Sequence, residues 1–271
     1  FTMGARPIAL LDFLRFGSDS NSNRLLNESV RGIADYGNCI GIANVGGDCY
    51  IDETYKTNPL VNVGCIGIMK KENIVYGNVK NDGDVLIYVG RKTGNDGING
   101  AAMASNEFKA NTDVDSLKDN IQHGDAFLEK LLMEACLEIV EAKLLQGMQD
   151  MGAGGLLCSS LEVVQRGRTK YKENFGCVIN VDSIPEVGNM DSCDKLISES
   201  QERMLLVSKP ECVERIFEIF NKWELEYSVV GNVNLTGKYT VISNEGELFS
   251  ENVSDFDDPL EEWPTDNVSN V

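Results

Sequence analysis

Histidine occurs once in this chain, at position 123, and among its 271 residues there are only six prolines and two tryptophans. A single histidine excludes multi-histidine zinc sites, and any Cys-His or Ser-His catalytic pair would rest on His123 alone, which reads as a loop residue. The phosphate-loop pattern G-x-x-x-x-G-K-[ST] and the dinucleotide pattern G-x-G-x-x-G are both absent. No window of about 18 consecutive apolar residues occurs, and the opening Phe-Thr-Met-Gly-Ala-Arg-Pro lacks the layout of a signal peptide, so a soluble, cytoplasmic chain with no membrane partner is expected. Basic residues are few: 24 Lys and Arg against 43 Asp and Glu give a formal net charge of -19, which argues against nucleic acid as a partner. A phosphorylated substrate is not excluded, because backbone amides, hydroxyls and a bound cation can offset phosphate charge locally. The eight cysteines form no C-x-x-C pair and mostly sit in apolar or helical contexts, so reduced thiols packed as small hydrophobes are expected.

At this length two packed units are expected, each able to bury a core. Leu25, Leu26, Val30 and Ile33 recur at helical spacing up to Tyr36, predicting a helix after a loop at 18–23 and ending at Gly37. A turn-rich stretch at 44–47 follows, then apolar, β-branched segments at 61–69 and 75–76 that read as a hairpin. Asn81-Asp82-Gly83 precedes a continuous apolar run at 85–89, the pattern of a buried strand, and places the junction between units near residue 82. Beyond it the pattern predicts helices over 126–145, from Leu156 onward and over 213–220, with strands at 204–207, 227–233 and 239–243. The second unit, 83–244, is thus α+β. Residues 245–271, with Pro259, Pro264 and nine acidic against no basic residues, read as an acidic linker. The opening on Phe1, with apolar residues from Ile8 to Leu11, reads as an entry into the middle of a folded element.

Four polar clusters fall where strands and helices meet, where free backbone ends can bond ligands. Gly-Asn-Asp-Gly-Ile-Asn-Gly at 94–100 lets the backbone approach a ligand, or makes a turn, the reading its composition favours. Ile-Gln-His-Gly-Asp at 121–125 opens the long helix, with Gln122 available to a polar ligand and Asp125 reading as its N-cap. Met-Gln-Asp-Met-Gly-Ala-Gly-Gly at 148–155 holds one carboxylate, Asp150, in an otherwise uncharged turn. Magnesium answers that arrangement, since it takes one or two protein carboxylates and fills its shell with water and phosphate oxygens; so does a structural hydrogen bond to the glycine amides. Ser-Glu-Ser-Gln-Glu-Arg at 198–203 reads by composition only as a solvated loop.

In this order the clusters resemble the phosphoribosylformylglycinamidine synthase family, whose stretches look like M-G-A-R-P-I-A-L-L-D, D-P-L-V-N, V-Q-x-G-D-P-F, Q-D-M-G-A-A-G and S-E-S-Q-E-R-M. They stand here at 3–12, 58–62, 121–127, 149–155 and 198–204, within a match running from residue 1 to about 245. The last motif is the most specific, since relatives of the wider fold do not usually carry it. The resemblance implies an AIR synthetase-like architecture: a truncated N-terminal ATP-binding-type domain over 1–82 and a C-terminal α+β domain over 83–244. It implies an ATP- and magnesium-dependent carbon-nitrogen ligase of purine synthesis. There ATP phosphorylates the amide oxygen of formylglycinamide ribonucleotide, and ammonia from a glutaminase subunit or domain, with a small PurS-type subunit in some forms, displaces the phosphate. By motif, Gln122, Glu199, Ser200 and Gln201 would bind the substrate and Asp150 a magnesium ion.

The sequence departs from the family pattern at Ala126, where the family has proline, at Gly154 (alanine), at Asn95 and Asn99 (arginine and histidine) and at Asp48 (glutamate). The family keeps its catalytic histidine and most nucleotide contacts in a segment expected upstream, so no catalytic residue is assigned here and this piece alone is expected to be inactive. Two rival readings are another ATP-using synthetase of the same superfamily and a non-catalytic assembly module.

Overall fold

In a computed structural model the chain is described over residues 1–98 and 121–256. The first unit is a three-stranded sheet with the order β2-β1-β3, made of β1 (Arg6–Phe16), β2 (Ala43–Ile51) and β3 (Leu60–Ile68). β1 runs parallel to β2 and antiparallel to β3. The parallel pair needs a crossover, which helix α1 (Ser20–Ile40) supplies. Its polar start at 20–23, expected as a loop, is the first helical turn, because the Asp19 side chain accepts a hydrogen bond from the Ser22 amide and caps it. Gly37 does not end it. The helix runs on until Gly41, at φ 75°, closes it in the left-handed conformation.

The glycines at 46 and 47, expected in a turn, lie inside β2, opposite Leu11 and Asp12. A side chain at Gly47, at φ 136°, would collide with the Asp12 carbonyl, so these glycines serve close strand approach at a register shift. The expected hairpin of 61–69 with 75–76 is also corrected. β3 pairs with β1, whereas the Val75 amide donates to the Met3 carbonyl and the Tyr76 carbonyl accepts from the Met148 amide.

The second unit is a seven-stranded sheet with the order β10-β9-β6-β8-β4-β7-β5. Its strands are β4 (Val85–Gly90), β5 (Leu145–Asp150), β6 (Gly176–Asn180), β7 (Arg203–Ser208), β8 (Tyr227–Asn234), β9 (Lys238–Ser243) and β10 (Gly246–Asn252), all antiparallel to their neighbours except β6 with β9. The central strands are buried on both faces, which is why 85–89 reads as an unbroken apolar run. Leu86 and Tyr88 face one core with Leu205 and Val207 of β7, while Ile87 and Val89 face the other with Met204 and Leu206. Helix α3 (Gly155–Tyr171) covers the first core through Leu156, Val163 and Val164. Helices α2 (Ala126–Glu141) and α5 (Val213–Lys222) cover the second, and the short α4 (Ser192–Ile197) sits beside α3. Each such apolar side chain contributes about 1.5 to 3 kcal/mol by leaving water. The α+β class read from the pattern is the one observed.

α2 stops at Glu141, and Leu145, assigned to it by periodicity, begins β5 instead. α2 also reaches the first unit, with Met133 and Leu137 packed against Leu10, Ile40 and Ile42. The acidic segment after 244 does not begin as a linker. Residues 246–252 form β10 against β9, and Val253 is fully buried in the core under α3. The strand's acidic side chains Glu247 and Glu251 are exposed on an edge of the sheet, so charge there did not exclude pairing. The remainder of the expected linker, 257–271, lies outside the described residues, as do Asn99 and Gly100. All eight cysteines are free, but only Cys136 and Cys177 are buried and Cys212 partly so; the other five are exposed, contrary to the packing expected. Among the described residues no helix is long and apolar enough to cross a membrane.

Candidate functional site

The Ser198–Arg203 segment joins α4 to β7 and is held from inside, not solvated as its composition implied: Ser198, Glu199 and Ser200 are all buried. The Ser200 hydroxyl accepts a hydrogen bond from the Gly94 amide at 3.0 Å and donates to Asp96 Oδ1 at 2.6 Å; the Ser198 hydroxyl donates to the Gly94 carbonyl at 2.7 Å. The glycine-rich stretch, over its described part to Ile98, is therefore a turn whose backbone and Asp96 lock Ser200 in place. Arg203 anchors the other end, its guanidinium donating to the carbonyls of Ser198 and Ser200 and to the Thr93 hydroxyl. Burial pushes the pKa of that guanidinium down.

Glu199 ties two further segments to this loop. Gln122 Nε2 donates to Glu199 Oε2 at 2.8 Å, and the Gly154 amide donates to Glu199 Oε1 at 3.1 Å. One buried carboxylate thus links the 121–125 stretch, at the N-terminus of α2, to the turn after β5 that carries Asp150. Hydrogen bonds to a charged acceptor contribute about 1.5 to 3 kcal/mol each. Gln201 Nε2 donates to the Glu199 carbonyl at 2.9 Å, and its side chain lines a cavity of about 150 Å³ together with Asp150. Asp125 caps α2 by accepting from the Leu128 amide, as its position predicted. His123 is an exposed loop residue whose carbonyl accepts from Arg91.

Asp150 is exposed at the cavity, and its Oδ1 accepts from the Gly152 amide at 3.2 Å, the structural bond the sequence left open beside magnesium. Among the described residues no three His, Cys, Asp or Glu side chains are grouped closely enough to hold a metal ion. A single carboxylate at an open cavity still fits magnesium, which takes most of its shell from water and phosphate oxygens. All five residues singled out by motif therefore fall on one connected assembly, with Gln122, Glu199 and Gln201 joined directly, Ser200 beside them, and Asp150 reached through Gly154.

Three lining residues escaped the sequence reading: Tyr36, Glu129 and Glu202. The Tyr36 hydroxyl donates to Glu202 Oε1 at 3.0 Å, and burial, with nearby acidic charge, pushes its pKa up. Burial, then the negative charge of Glu202, raises the Glu129 carboxyl to about 7; burial also raises that of Glu202. Glu202 stood inside the quoted motif and could have been noticed there, whereas Glu129 in its helix and Tyr36, 166 residues before its partner, give no local signal.

Two family models match this chain, "AIR synthase related protein, N-terminal domain" over residues 1–69 and "AIR synthase related protein, C-terminal domain" over 81–244. The chain belongs to the AIR synthase related family. Within that family it is similar to phosphoribosylformylglycinamidine synthase subunit PurL, bearing out the resemblance carried by the motifs. The PurL subunit of Caldanaerobacter subterraneus subsp. tengcongensis is 46% identical over 255 residues, 93% of this chain and 33% of that protein. Thermotoga maritima PurL complexed with FGAR superposes with a TM-score of 0.84 at 38% identity, over 93% of this chain and 40% of that one. T. maritima PurL complexed with ATP and the PurLQS structure match with TM-scores of 0.79 and 0.78 at 37% and 36% identity, each over 93% of this chain and 38% of theirs. The chain spans about a third of the length of the curated relatives it matches.

Proposed function

We propose that this chain contributes the substrate-binding side of an ATP-dependent carbon-nitrogen ligase. The ligase would convert formylglycinamide ribonucleotide to the amidine with ammonia derived from glutamine, in purine biosynthesis. The observation that carries this reading is the Glu199 carboxylate, which joins Gln122 to the turn following Asp150, beside a cavity that Asp150 and Gln201 line. The relatives support it by name: T. maritima PurL has been seen with FGAR and with ATP, and in a PurLQS assembly. A glutaminase partner and a small PurS-type subunit belong to the proposal.

The primary amides of Gln122 and Gln201 offer both donors and acceptors, suited to a substrate rich in hydroxyl and amide groups. Glu199, buried, accepts from both amides, from Gln122 through its carboxylate and from Gln201 through its carbonyl, while Ser200 pins the loop to Gly94 and Asp96, which is how catalysis by alignment is built. Asp150 would hold magnesium, which when bound offsets the charge of phosphate oxygens. The nucleotide itself would be held largely by parts of the parent protein beyond this chain.

The test is ammonia-dependent ADP release by the full-length gene product with formylglycinamide ribonucleotide and magnesium. Asp150→Ala and Gln201→Ala should each lower kcat/KM by roughly tenfold or more, the scale of one lost hydrogen bond or ion contact. Unchanged rates in both variants would refute the assignment of the site.

A further inference from the structure

The cavity that Asp150 and Gln201 line also carries two carboxylates, Glu129 and Glu202, that the proposed reaction does not use. Glu202 is only 8% exposed, yet its Oε2 makes no hydrogen bond, while Oε1 accepts from Tyr36. Its backbone sits at φ 58°, with its carbonyl accepting from the Arg91 amide and packed against Gly90, so the side chain is fixed toward the cavity it lines. Glu129, on the first turn of α2, lines the same cavity, and the two carboxylates repel one another.

Few positive charges answer them. Arg91 acts on Glu202, opposed there by the Asp125 carboxylate; the Asp125 amide favours the charged form of Glu202 without bonding Oε2. Arg203 also lines the cavity, but its guanidinium is turned to Ser198, Ser200 and Thr93. Removing a carboxylate from water costs several kcal/mol unless a cation or a proton answers it.

Size and ligand count narrow the choice of cation. A volume near 150 Å³ equals about five waters at ~30 Å³ each, room for a small ion with part of its shell and too little for a nucleotide. Asp150 lines the cavity as well, but among the described residues no three acidic, histidine or cysteine side chains stand close enough to hold a metal ion, which disfavours a divalent ion tightly caged by Glu129 and Glu202. We propose that the cavity binds a monovalent cation of ammonium size through Glu129 and Glu202. Only the biological source rests on the functional reading above: ammonium would be the stored form of the nucleophile, potassium a structural ion.

The test is thallium(I), soaked into crystals of the full-length gene product and located by anomalous scattering, a readout independent of turnover. A peak bounded by Glu129 and Glu202 is expected, falling below detection in the isosteric Glu129→Gln, Glu202→Gln double variant. Displacement by ammonium ahead of potassium upholds the site as one for the co-substrate, and displacement by potassium alone upholds it as a structural ion site. The absence of a wild-type peak in the cavity, or its persistence in the double variant, overturns the proposal. If ligase activity is missing but the peak is present, the functional reading fails and the site stands.

Discussion

Replacing Glu129 by glutamine should change the slope of stability against pH. The folded chain raises this carboxyl from its ordinary 4.5 to about 7, by burial first and by the charge of Glu202 second. The folded state therefore binds more protons than the unfolded state between those values, and stability falls as pH rises. The contribution is fully present below about 4.5 and lost through about 7. At 1.36 kcal/mol per pH unit the interval corresponds to about 3 kcal/mol, reduced to roughly 2 kcal/mol because Glu129 keeps some contact with water. Glu129→Gln does not titrate, so it should match wild type near pH 4.5 and exceed it at pH 8. With a urea slope of ~2 to 3 kcal/mol/M, the gap at pH 8 is roughly 0.7 to 1 M in the unfolding midpoint. Urea titrations followed by the fluorescence of Trp223, which packs against the same core as α2, would read it in buffers whose only cation is tetramethylammonium. Ammonium or thallium added at pH 8 should narrow the gap. A midpoint difference that is the same at pH 5 and pH 8 would refute the reasoning.

Gly47→Ala should cost more than about 1 kcal/mol, since the new methyl group meets the Asp12 carbonyl and the residue must keep φ 136°; an unchanged thermal midpoint would count against the β1–β2 register. Arg6→Ala should act through Glu134, whose carboxyl the Arg6 guanidinium, then Lys130, holds down to about 2. That stability is present above the ordinary carboxylate range and lost as pH falls through about 2, and solvent screening of the exposed Arg6 limits it to about 1 kcal/mol. An acid titration of unfolding that is identical with and without Arg6 would remove this pair from the account.

Elements whose apolar pattern is strong were legible in the sequence, and those built by backbone contact were not. The run at 85–89 announces a strand buried on both faces because Leu86 and Tyr88 serve one core and Ile87 and Val89 the other. β2 hid because it is exposed along its whole length and its glycines, needed for approach to β1, resemble turn residues. β10 hid behind acidic side chains that an edge strand tolerates. The candidate site was legible only where contiguous residues form a motif. Ser198 to Arg203 stood out as a string, but its burial depends on Gly94 and Asp96, about a hundred residues earlier, and no local pattern encodes that distance.

α2 has a consequence for how this family can be divided. Met133 and Leu137 lie against Leu10, Ile40 and Ile42, while Leu132, Cys136 and Ile139 of the same helix fill the core of the seven-stranded sheet. The gap between the two family models, at 70–80, is therefore a border in sequence and not in packing. A piece cut there would carry away Leu10, Ile40 and Ile42 without their cover, and the other piece would keep a helix with a bare flank. Gene fusions, split expression and domain exchange in such proteins have to move α2 together with both of its neighbours.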